Sequence, residues 1–306
     1  MRKAIITTIS LTMFCAAVSA QDLALISSQI INDPVNLATA GAASASSKNI
    51  SMAAFGNAAA MAFHEGTGDI QASYERWAPS GITSSRISFG EGMRLGKTFC
   101  LSIAGVYGMG QDYEIIDDRG VPSGSFKTSD MMIGAGVGIA ASPNFGIGLN
   151  FRFANEKLYD DASVKAVMID GSLMYHKDGL NVSAGLRSLG PKVKDHSENE
   201  FSIPGAVNIA AYYDLAPSEE HSIGFGADGN YFFNGGISFA AGAQYAWKDM
   251  VFARAGYHYG SKNAPLPQYL SLGLGAKYYG VSINLSYLTL NKAIGNTLAL
   301  SLGYSF

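Results

Sequence analysis

Charge is scarce in this chain. Of its 306 residues only 15% are Asp, Glu, Lys or Arg, where a soluble domain carries about 25%. The net charge of −3 offers no basic surface to a nucleic acid, so no such partner is expected. Cysteine is scarcer still, with Cys15 and Cys100 alone. If Cys15 is lost with a leader, no disulfide can form within the chain, and Cys100 reads as an inert buried thiol. Long hydrophobic runs are missing too. No stretch of about 18 apolar residues follows residue 20, which excludes a bundle of membrane helices. A Gly-x-Ser-x-Gly element is absent, and His64, His176, His196 and His221 lack metal-site spacing. Neither a metal, a cofactor nor catalysis is expected, and a lone His258 reads as structural.

What the chain does have is glycine (36 residues), tyrosine and phenylalanine (16 each), and period-two alternation. Leu298, Leu300, Leu302, Tyr304 and Phe306 fall on one face of a strand, opposite Ala299, Ser301, Gly303 and Ser305. A soluble sheet would carry charge on its second face. Small residues there suit a barrel wall with lipid outside and a crowded lumen within. The pattern recurs in fourteen segments between residues 69 and 306, most near the roughly 9–11 residues that cross a bilayer when tilted. Charges fall on the small-residue face: Arg152, Asp170, Arg187, Asp228, Arg254 and Lys277. Arg76 points outward, at a strand end where it can snorkel. A soluble β-sandwich shares the alternation but not the uncharged second face.

Connections give an independent test, since bacterial barrels have short periplasmic turns and long extracellular loops. Ser142–Asn144, Lys177–Asp178, Lys248–Asp249 and Tyr279 are short; Gly110–Lys127, Glu156–Ala162, Leu189–Ser202, Ser261–Pro267 and Thr289–Gly295 are long. The tight Asn234-Gly235 on the outer side breaks the parity and suggests a miscount near 230–236. Trp77, Tyr107, Tyr175, Trp247, Tyr257, Tyr259, Tyr278, Tyr287 and Tyr304 fit interfacial girdles.

The domain reading follows. Residues 1–20 form a signal peptide: basic Arg2 and Lys3, an apolar core, then Val18-Ser19-Ala20 before Gln21. Residues 21–66 are Ala-rich, with Asp33-Pro34 as an N-cap and first helical position. They are too few for an independent domain and are expected to fold into the lumen as a plug or hatch; a periplasmic lid or tail is the alternative. Residues 67–306 form the transmembrane barrel, an all-β, antiparallel up-and-down architecture of about 14 strands. The expected location is the bacterial outer membrane, with its lipid and the barrel assembly machinery as partners. A terminal strand ending on Tyr304 and Phe306 resembles the insertion signal of Gram-negative barrels.

The segments Leu37–Ala42 and Ala54–Ala59, Tyr74–Trp77, Asp118–Gly120, Gly124–Phe126 and Arg254–Tyr257, in that order, resemble the PorV/PorQ family, which belongs with FadL-type barrels of 14 strands. Gly41, Gly56 and Asn57 match its hatch motif, and Ala58 stands where the family usually has proline. The resemblance implies a non-enzymatic binding or shuttle component of the type IX secretion system of Bacteroidetes. Its partners would be the translocon, its cargo and the surface-attachment proteins. The polar loop residues Asp112, Glu114, Asp117, Lys192, Lys194 and Glu198 lean that way. The alternative it implies is a FadL-like channel that takes up hydrophobic small molecules past the hatch. In either reading Arg152, Asp170, Arg187, Asp228, Arg254 and His258 are candidate contacts to a plug or a ligand, or ion pairs bracing the wall.

Overall fold

The computed structural model describes residues 23–77, 84–117, 120–159, 162–194, 198–289 and 296–306. The signal region, Asp118, Arg119, His196 and the loop 290–295 lie outside them. Fourteen strands close into one antiparallel barrel, each paired with its neighbours in sequence. They are β1 (Gly68–Trp77), β2 (Ser84–Leu95), β3 (Phe99–Ile116), β4 (Pro122–Ala140), β5 (Phe145–Tyr159), β6 (Ala162–Lys177) and β7 (Leu180–Leu189). After a small separate hairpin, β8 (Val193–Lys194) with β9 (Glu200–Phe201), come β10 (Ala206–Leu215), β11 (His221–Phe232) and β12 (Ile237–Trp247). The wall ends with β13 (Val251–Gly260), β14 (Tyr269–Tyr278), β15 (Val281–Thr289) and β16 (Thr297–Ser305). The seam pairs β1 with β16, from Asp69↔Ser305 to Arg76↔Leu298.

Alternation makes the wall. On β16 Leu298, Leu300, Leu302 and Tyr304 are exposed, while Thr297, Ala299 and Ser301 are buried. On β5 Phe145, Ile147, Leu149 and Phe151 are exposed, with Asn150 and Arg152 buried. Such a belt of large apolar side chains is stable only against lipid. A closed sheet has no free edge and satisfies its backbone ladder throughout the hydrocarbon.

Several expectations need correction. No strand is miscounted near 230–236: β11 ends at Phe232, β12 begins at Ile237, and Gly235 supplies the positive φ (+81°) of the turn. Gly110–Lys127 is mostly not loop. β3 and β4 continue past the wall, pairing Asp112↔Lys127 through Ile116↔Pro122, with Tyr113 stacked on Phe126 at 5.2 Å. Glu156–Ala162 likewise belongs largely to β5 and β6, and Leu189–Ser202 contains the β8–β9 hairpin. Trp77 is no girdle residue, because its odd position on β1 turns it inward against Leu37 and Tyr269.

Residues 23–66 lie inside the wall. Their regular structure is short: a 3-10 turn at Ile26–Gln29, the helix α1 (Pro34–Ala38), and 3-10 turns at Ala53–Phe55 and Ala58–Phe63. The Ala-rich stretches at 35–46 and 51–63 carry no regular structure longer than these turns. Asp33 caps α1, its Oδ1 accepting from Val35 N–H at 3.0 Å, with Pro34 in the first turn.

Candidate functional site

The inner segment rests on inward glycines of the wall. A Cβ on Gly148 would lie 2.1 Å from Ala59 N, one on Gly226 2.1 Å from Ala42 O, and one on Gly256 2.3 Å from Thr39 O. Gly90, Gly92 and Gly138 meet the backbone of Ser51, Ile50 and Ala58 equally closely. Backbone lying flat on backbone leaves polar groups that wall side chains must satisfy. Asn150 Nδ2 donates to Ala53 O (3.1 Å) and Gly56 O (2.9 Å), Ser102 Oγ accepts from Ala54 N–H (3.2 Å), and Ser172 Oγ accepts from Ala59 N–H (3.2 Å). Ser271 donates to Leu37 O, Ser286 to Pro34 O, and Arg94 to His64 O.

The inner segment does not fill the lumen evenly. α1 packs on β13–β16, and the last two 3-10 turns pack on β3–β6. Leu25 and Phe55 join Val106, Met132, Met168 and Ile203 in an apolar cluster at the outer half, where Leu23 also bridges to Ser202. The arc of β7, β10 and β11 is touched mainly by Gln29 and the bend 42–48. Along that arc runs a cavity of about 150 Å³, with the loop residues Pro265 and Leu266 at its outer end.

The sequence-derived candidates divide into two groups around this cavity and one away from it. Arg152 and Asp170 form an ion pair (Nη2 to Oδ1, 2.6 Å) in which Arg152 is 1% exposed. Asp170 Oδ1 also accepts from Ser188 N–H at 2.6 Å. That amide belongs to a bulge: Ile169↔Leu189 and Gly171↔Leu186 put one extra residue on β7, and Ser188 takes φ +52°. Arg187, in the same bulge, is half-buried and lines the cavity. Across the cavity Asp228 accepts from Asn208 Nδ2 (3.0 Å), Asn230 Nδ2 (2.7 Å) and Ser44 Oγ. His258 stacks on Tyr269, ring centroids 4.8 Å apart and 10° from parallel. Arg254 stands apart, donating to Gln244 Oε1 (2.6 Å) and Asn284 Oδ1 (3.0 Å). Burial pushes the nearby Asp33 carboxyl above its usual value, against hydrogen bonds from Val35 and Gln71 and the charge of Arg254.

Gly41 has φ +93° and donates its N–H to Asn36 O at 2.9 Å, closing the turn after α1. Gly56 follows the first of the last two turns, and Asn57 caps the second, Oδ1 accepting from Ala59 N–H at 3.1 Å. Ala58 opens that turn, a position where proline fits without losing an intrahelical bond. At the seam Phe306 O accepts from Thr67 and Gly68, and the Phe306 ring stacks on outward-facing Tyr304 at 6.1 Å.

Sequence reasoning passed over Glu75, Arg86 and Asp130. All face inward by the same alternation, and Arg86 pairs with Asp130 at 2.6 Å while reaching Asn32 Oδ1 at 3.3 Å. It also missed the uncharged lining, Ser183, Asn208, Asn230 and Ser238, which the parity of β7 to β12 marks as one polar arc.

No protein-family model matches the chain, and no curated protein sequence does. Solved structures do. The Ralstonia pickettii toluene transporter TbuX aligns at TM-score 0.62 and 10% identity, over 89% of this chain and 97% of that one. A Pseudomonas aeruginosa FadL homologue aligns at 0.56 and 13%, over 90% and 98%. The Pseudomonas putida toluene transporter TodX aligns at 0.56 and 12%, over 86% and 96%. At these identities the likeness is one of fold: this chain is an outer-membrane-type barrel shaped like the FadL-like channels.

Proposed function

We propose that this protein is a non-enzymatic, plugged channel of the outer membrane that admits small, largely apolar molecules. The observation that carries the reading is the cavity between plug and wall. It follows the arc the plug leaves open, and it reaches wall residues Gly171, Ala184 and Leu186 as well as the outer loop tip at Pro265 and Leu266. Gly171 has open space where a side chain would stand, so the wall is thin there. About 150 Å³ is the size of a cavity that holds one benzene. The fold likeness to toluene transporters supports the same class of solute.

The PorV/PorQ resemblance supports a second reading, an accessory of type IX secretion. The β3–β4 hairpin favours it, standing above the wall with Ile116 and Val121 exposed at its tip. Deleting the gene separates the two. Slower uptake of a small apolar nutrient with normal surface proteins supports the channel; surface proteins held in the periplasm with normal uptake would sink it.

A further inference from the structure

Resting on the channel reading, we propose that the lumen site selects an uncharged, hydroxyl-bearing molecule of ring size rather than a plain hydrocarbon or an acid.

The argument starts from which arc the plug leaves open. Where it packs tightly at the outer half it covers apolar wall, Val106, Met132 and Met168. The cavity instead faces Ser183, Asn208, Asp228, Asn230, Ser238 and His258. Three polar atoms on cavity-lining residues are buried without a hydrogen-bond partner: Ser183 Oγ, His258 Nε2 and Asn57 Nδ2. Ser183 is 2% exposed and His258 9%. Buried polar groups are costly when unpaired, and a hydrocarbon in the cavity would leave all three so. A hydroxyl is both donor and acceptor, and can answer a serine, an imidazole nitrogen or an amide N–H in turn.

Charge argues against an acid. Asp228 is held by neutral donors alone, Asn208, Asn230 and Ser44, and no cation within ion-pair distance offsets it among the described residues. Asp33 lines the same space. Arg187 is the one guanidinium among the lining residues, and among the described residues neither Asp33 nor Asp228 is held in an ion pair. A carboxylate ligand would meet more repulsion than attraction. The apolar part of the ligand is accommodated by the parallel His258–Tyr269 stack and by Phe55 and Phe232, whose ring faces suit an aromatic body.

The test is calorimetric titration of the full, detergent-solubilised barrel with benzyl alcohol, toluene and benzoate, three probes of nearly equal size. Benzyl alcohol should bind about tenfold or more tightly than either of the others, since a site built to pair a hydroxyl rejects the analogue lacking it. In Ser183→Ala, and further in Ser183→Ala with His258→Phe, the preference over toluene should shrink; retained heat-modifiable migration on gels shows that each variant folds. Toluene binding as tightly as the alcohol would overturn this inference and leave the channel reading standing, and so would tightest binding of benzoate. An unchanged preference in folded variants would overturn it as well. No binding of any probe would overturn the channel reading itself.

Discussion

Placing a methyl group at Gly148 should unseat the plug while leaving the barrel closed. The Cβ of Gly148→Ala would stand 2.1 Å from Ala59 N and 2.5 Å from Ala58 C, about 1 Å or more inside the roughly 3.5 Å of ordinary contact. Both neighbours are backbone, so no side chain can swing aside. Overpacking costs about 1–3 kcal/mol. Moving Ala59 also breaks the bonds from its N–H to Ser172 Oγ and Asn57 Oδ1, both modest at 3.2 and 3.1 Å and worth about 1 kcal/mol each. The local cost is about 3–5 kcal/mol, which lowers the ratio of seated to unseated plug by a factor of roughly 100 or more. Trypsin reads this directly, because Lys48 is the only lysine or arginine between residues 23 and 66. Cleavage after Lys48 should accelerate, and conductance through planar bilayers should rise, with heat-modifiable migration unchanged. Gly171→Ala is the control, since nothing lies within 4 Å of its Cβ position. Equal cleavage and conductance in Gly148→Ala and the unaltered protein would refute the argument, as would an effect of the same size from Gly171→Ala.

Arg152→Leu leaves Asp170 buried and without its 2.6 Å partner, so the urea midpoint of the barrel in micelles should fall by the equivalent of about 3 kcal/mol; adding Asp170→Asn should restore much of it. Asp33→Asn keeps the helix cap but removes a carboxylate whose burial raises its pKa. A raised pKa costs the folded state free energy at neutral pH, a cost that begins to shrink as pH falls through the folded value and is gone below the ordinary carboxyl value. Amide exchange over 34–38, corrected for intrinsic rate, should therefore be slower in Asp33→Asn at pH 7 and converge with the unaltered protein in acid. Trp77→Ala opens a void against Leu37 and Tyr269 and should speed cleavage after Lys48, whereas Trp247→Ala, on the exposed outer face, should not.

Alternation revealed the wall because it is a local property: every second residue of β5 or β16 reports its own environment. The strand count followed from it, and the expected sidedness came separately from the connection lengths. The upper parts of β3 and β4 stayed hidden because above the lipid both faces meet water, and the apolar rhythm fades in Gln111–Ser129. Trp77 misled for a different reason. Aromatic identity suggested a girdle, yet its parity with Ser73 and Glu75 had already turned it inward. The inward direction of Arg152, Asp170, Asp228 and His258 was likewise legible. Their partners were not, since period two carries no height, and the Asp170–Ser188 contact depends on a one-residue bulge. The plug's course was least legible of all. Its alanines say only that they fit a tight place, and the glycines that receive them stand more than 200 residues away on the wall, as Ala38 and Gly273 show.

The seam between β1 and β16 sets a constraint on the order of assembly. Thr67 and Gly68, immediately after the plug, donate to Phe306 O, so the strand that finishes the ring is also the one that meets the plug's exit. Between those points the plug lies wedged against glycines on β2, β4, β5, β11 and β13, too closely to slide past a completed ring of hydrogen-bonded strands. Seating before the last zippering step is the sterically open route.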